Sequence, residues 1–98
     1  MKHRKEGDKL YVKVEQNLNL ITTRHIERMA EEAREVYLDL SDARIVDSEG
    51  VVLLYRLLQA GKALHIKEAP EILREILSVL ELEDIIPLER LSNGAFEV

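Results

Sequence analysis

Residues 36–66 read V-Y-L-D-L-S-D-A-R-I-V-D-S-E-G-V-V-L-L-Y-R-L-L-Q-A-G-K-A-L-H-I, and this stretch decides the fold. Val36, Leu38 and Leu40 alternate with Tyr37 and Asp39, the period-two pattern of a strand with one buried face. Val51, Leu54, Tyr55 and Leu58 then share one helical stripe, which Val52, Leu53 and Leu57 widen until little polar surface is left. A helix of that kind has to be covered on more than one side. Gly61 suits its C-terminus, where positive φ is common. Leu64 and Ile66 resume the alternation of a strand. Strand, helix and strand within about thirty residues make a βαβ unit, whose crossover is nearly always right-handed, so the two strands are predicted to be parallel neighbours.

Upstream, Leu10, Val12 and Val14 alternate with Tyr11, Lys13 and Glu15, which predicts a first strand, at an edge because its outer face is charged. Leu18, Leu20 and Ile21 suggest a short second strand hairpinned onto it. Thr22 or Thr23 is expected to cap a helix that buries Ile26, Met29, Ala30 and Ala33. Downstream, Pro70 suits the first turn of a helix with Ile72, Leu73, Ile76, Leu77 and Leu80 on one face. Residues 84–88 read as a short edge strand, since Pro87 has no ladder donor. After Ser92, Asn93 and Gly94 favour a turn, and residues 95–98 fit a helix stub or a frayed strand. The expectation is one α/β domain over residues 9–98, preceded by a disordered tail over residues 1–8. Its mixed sheet has four or five strands packed with three to four helices around a central right-handed βαβ unit.

Composition narrows the function. The chain has 98 residues and no cysteine, which removes disulfides, thiol catalysis and cysteine metal sites. A net charge of -5 with 4% aromatic residues argues against nucleic acid as a partner, because such binders concentrate basic residues and aromatic platforms on one face. The basic run Lys2, His3, Arg4, Lys5 reads as a frayed terminus. No apolar run approaches the roughly twenty residues of a membrane span, and the charged start has no signal-peptide core, so a cytoplasmic location is expected.

The βαβ geometry puts the loop of residues 41–49 at the carboxyl end of a strand and the start of a helix, the edge where open α/β sheets hold their sites. Asp39, Asp42, Asp47 and Glu49 gather there, but no other element supplies a partner for acid and base chemistry. His3, His25 and His65 read as surface residues, in no metal or Ser-His-Asp spacing, and only Gly50 lies near the helix start. Catalysis, cofactors and metals are therefore not expected. Asp47 or Ser48 serves as a helix cap worth about 1 kcal/mol. Ser48 also suits a phosphorylation switch, since phosphate adds roughly -1.5 to -2 charges at a helix end whose partial positive charge accommodates it.

The run V-Y-L-D-L-S-D-A-R-I-V-D-S-E-G-V-V-L-L resembles the signature of STAS domains, the anti-sigma factor antagonist family. There, a strand ending in D-L-S leads through a short loop to D-S-x-G and an apolar helix. The likeness continues through G-K-A-L-H-I and the helix after Pro70 to L-E-L-E-D-I-I-P-L, in order over nearly the whole chain. It implies a non-catalytic domain that works by switchable binding. The unphosphorylated domain would bind an anti-sigma factor that is also a serine/threonine kinase, and phosphorylation of Ser48 would separate the two until a phosphatase resets the cycle. Asp42, Arg44, Asp47, Ser48, Glu49 and Gly50 are the residues expected to meet the partner.

Two features depart from the family pattern. Glu49 stands where a small or hydroxylated residue is common, and at about 6 Å and an effective dielectric near 20 its charge opposes a phosphate by on the order of 2 to 3 kcal/mol before screening. It would weaken kinase docking, disfavour the phosphorylated form, or imitate part of it. The glycine usual before the second strand is missing near Leu18 to Ile21. Competing expectations are a STAS subunit of a lipid-trafficking ABC transporter, which needs no phosphorylation, and a scaffold STAS domain in a signalling assembly.

Overall fold

A computed structural model of the chain describes residues 1–43 and 47–86. The elements run β1 (Lys2–Glu6), β2 (Lys9–Lys13), α1 (Leu20–Ala30), β3 (Glu35–Asp39), α2 (Ser48–Gln59), β4 (Ala63–Lys67) and α3 (Glu71–Val79). The four strands form one mixed sheet in the order β1-β2-β3-β4, antiparallel between β1 and β2 and parallel across β2-β3 and β3-β4. The parallel pairing of β3 and β4 around α2 is the arrangement that residues 36–66 predict.

One face of the sheet carries the core. Leu10, Val12, Val14, Val36, Leu38, Leu40, Leu64 and Ile66 are all buried, together with Ile26 and Ala30 of α1, Val51, Leu53, Leu54 and Leu57 of α2, and Leu73 and Leu77 of α3. Burial of apolar surface at about 25 cal/mol per Å² is the main favourable contribution here. The breadth of the α2 stripe has a simple cause, since α2 packs against α1, α3 and β4. Gly61 sits just past α2 with φ of 78° and returns its N–H to the Leu58 carbonyl at 3.0 Å. The Lys62 ammonium then donates to the Ala33 carbonyl at 2.6 Å, just beyond the end of α1.

The opposite face shows a row that sequence reading did not anticipate. The Arg4 guanidinium lies 4.5 Å over the Tyr11 ring. Tyr11 stacks on Tyr37 at 4.6 Å, and Tyr37 on His65 at 4.2 Å. The register pairs Arg4 with Tyr11, Tyr11 with Tyr37 and Tyr37 with His65, so the ladder follows from strand pairing. Burial and the nearby Glu35 carboxylate hold the Tyr37 hydroxyl above its ordinary pKa. His65, expected as a surface residue, is instead half-buried, with its Nε2 3.5 Å from Glu35.

Five further expectations are corrected. Residues 2–6, assigned to a disordered tail, form β1, turned onto β2 through Gly7 at φ of 61°. Every side chain of β1 is exposed, so apolar periodicity carries no sign of it; the backbone ladder is what pairs it. The first predicted strand, β2, lies inside the sheet between β1 and β3, and its charged residues face the side without the core. The short second strand and the threonine cap are replaced by a helix start. Asn19 caps α1 by accepting from the N–H groups of Ile21 and Thr22 at 3.1 and 3.2 Å, and Thr22 and Thr23 lie buried inside the first turns. The strand expected from residue 84 is a local turn as far as Ile86, whose N–H bonds the Leu82 carbonyl at 2.8 Å. Pro87, Leu88 and the readings for residues 92–98 lie outside the described residues.

Candidate functional site

Because β2, β3 and β4 are parallel, their carboxyl ends share one edge, and α2 begins beside it. Lys13, Asp39 and Lys67 occupy one row of the register there. Asp39 is only 5% exposed yet charged. Burial pushes its carboxyl pKa up, but hydrogen bonds from the Ser41 hydroxyl (2.6 Å) and backbone N–H (3.0 Å), with Lys67 and Lys13 nearby, outweigh it and hold the group below its usual value. A depressed folded pKa contributes stability that is full above the unfolded carboxylate value of about 4 and is lost as the pH falls through the folded value. Urea titrations of wild type and Asp39→Asn should therefore differ most at neutral pH and converge below about pH 4. A gap that stays constant into acid would contradict this sign.

The loop reaches α2 through Asp47, which is the N-cap. Its backbone is extended, at φ of -106° and ψ of -172°, and its carboxylate accepts the Glu49 N–H at 2.9 Å. Asp47 also donates its own N–H to the Leu18 carbonyl at 3.4 Å, tying the loop to the segment before α1. With Asp47 as cap, Ser48 becomes the first helical residue; it is exposed, and its hydroxyl makes no hydrogen bond with any described residue. Gly50 is buried in the same turn and its N–H bonds the Asp47 carbonyl at 3.0 Å. Glu49 is half-buried between them.

Asp47, Ser48, Glu49 and Gly50 are thus consecutive around one helix start. Asp42 is exposed on the loop and pairs with Lys13 at 3.2 Å, an ion pair that raises the Lys13 pKa. Arg44 lies outside the described residues. His25 is exposed on α1 and His3 on β1. Among the described residues no group of His, Cys, Asp and Glu could hold a metal ion, and no helix is long and apolar enough to cross a membrane.

Chemically, the site offers an exposed serine at the positive end of a twelve-residue helix, with two flanking carboxylates, one of them committed to capping. Among the described residues no hydrogen bond joins Ser48 to a general base. The sequence predicts the helix after Pro70 but does not place it at the site, yet Ser48 shares a groove with Ile72, Glu75, Ile76, Val79 and Leu80. The available signal was the width of the apolar stripe of α3, which exceeds what one buried face needs. No protein-family model matches the chain, and no curated protein matches it significantly.

Proposed function

We propose that the domain is a non-catalytic, cytoplasmic partner-switching regulator of the anti-sigma factor antagonist type. Unmodified, it binds an anti-sigma factor that is also a serine/threonine kinase; phosphorylated on Ser48, it lets go. The observation that carries this reading is the exposure of Ser48 at the first position of α2, where Asp47 performs the capping. The ordered resemblance of D-L-S, D-S-E-G and the following helix supports it.

The helix end tolerates the added anion, so the modified domain keeps its fold. A partner pressed on the same edge meets a phosphate that it must desolvate, and the complex opens. Incubation with the candidate kinase and ATP should add one phosphate, which Ser48→Ala abolishes, and the modified protein should no longer co-elute with the kinase. Unmodified wild-type protein, or a complex that survives modification, would refute the switch.

Glu49 favours a second reading. Its fixed charge beside Ser48 opposes a phosphate, which suits a STAS subunit that buttresses a transport ATPase or permease without being modified. Recovery of an ABC-type ATPase with the tagged protein, and no phosphate on Ser48, would select it.

A further inference from the structure

The helix α3 is apolar on two sides. Leu73 and Leu77 sink into the core. Ile72, Ile76, Val79 and Leu80 follow a second stripe at i, i+4, i+7 and i+8, the spacing with which one helix meets another. Three of these are exposed, at 45% for Ile72, 81% for Val79 and 48% for Leu80. With Ser48 and Glu75 they line a groove of about 300 Å³. Large apolar side chains grouped in this way mark a contact surface rather than scattered exposure.

Charge indicates what fits. Glu75 is in the lining, and Glu71 precedes it by one helical turn. Ser48 is on the other wall, and Asp47 and Glu49 are its neighbours in the chain. Arg74 does not line the groove. A second copy docked about a two-fold axis through the groove would set Glu75 against Glu75, so self-association there is opposed by like charge. A partner helix with basic flanks meets both the apolar stripe and the acidic rim.

We infer that the groove between the start of α2 and α3 receives an amphipathic helix, its apolar stripe flanked by Lys or Arg, from the protein that Ser48 regulates. The inference rests on the partner-switching reading for its link to phosphorylation. A phosphate on Ser48 occupies the wall where the apolar stripe must seat. Its attraction for the basic flanks is outweighed, because displacing a central apolar anchor removes the contacts that dominate affinity. Modification therefore weakens docking even though the occupant is basic.

The test uses methyl NMR of the full chain with two synthetic amphipathic helices that share one leucine stripe, one flanked by lysine and one by glutamate. The lysine peptide should shift the methyls of Ile72, Ile76, Val79 and Leu80. It should bind about tenfold more tightly than the glutamate peptide, and Val79→Ser should weaken it by about tenfold. Ile21→Ser, at an 81% exposed position on α1, should leave the affinity unchanged. Both variants should melt with wild type, because both side chains already face solvent.

Equal affinity for the two peptides, unshifted α3 methyls, or equal effects of the two substitutions would overturn the inference, as would concentration-dependent self-association that broadens the same methyls. Its failure is separable from failure of the switch. A groove that binds the lysine peptide in a protein whose Ser48 accepts no phosphate defeats only the regulation. A Ser48 that accepts phosphate beside silent α3 methyls defeats only the groove.

Discussion

Leu54→Ala is expected to lower stability by roughly 3 kcal/mol. For a domain of this size that corresponds to a drop in melting midpoint of roughly 15 °C. Leu54 is fully buried in the middle of α2, the helix enclosed by α1, α3 and β4. Alanine is the best helix former, so the substitution removes no local helix preference, and the loss measures the vacated packing. Total stability for a chain this long is about 5 to 15 kcal/mol, so one truncation takes a large share. Leu58→Ala, on the half-buried side of α2, should cost clearly less. Similar losses at the two positions in a urea titration would mean that α2 is not the enclosed helix.

Gly50→Val should cost about 2 kcal/mol through overpacking, because Gly50 is buried in the first turn of α2. A β-branched side chain must find space there while losing rotamer freedom against the preceding turn. The same change would disturb the turn that presents Ser48, so a binding defect in this variant has to be read against its melting curve. His25→Ala, on the exposed face of α1, should fall within about 0.5 kcal/mol of wild type. A thermal melt in which His25→Ala is the more harmful of the two would show that the helix entrance has been misplaced.

Where apolar periodicity is strong, residues and structure agree. The alternation in β3 and β4 and the broad stripe of α2 lead to parallel neighbours with a helix between them, and the pairing has that form. Ile26 and Ala30 of α1 and Leu73 and Leu77 of α3 are buried as their spacing implies. Disagreement concentrates where apolar pattern is weak or shared. Lys2–Glu6 contains no apolar residue, and its pairing depends on main-chain groups and on the turn at Gly7. Leu18, Leu20 and Ile21 could alternate as a strand or open a helix. The Asn19 side chain selects the helix by satisfying two amide groups, leaving Ile21 in solvent.

The candidate site divides in the same manner. That Asp47, Ser48, Glu49 and Gly50 lie together at a helix start follows from chain order, because a strand, a loop and an apolar helix leave them no other place. Chain order could not say which of Asp47 and Ser48 would cap, since both types suit the position. Backbone geometry assigns the cap to Asp47 and makes Ser48 the first helical residue. It also could not say that Ile72, Val79 and Leu80 would stand outside the core beside Ser48. Periodicity reports that a side chain is apolar and which face of its helix it occupies. Whether another element covers that face is a property of packing between segments distant in sequence, and only the folded chain decides it.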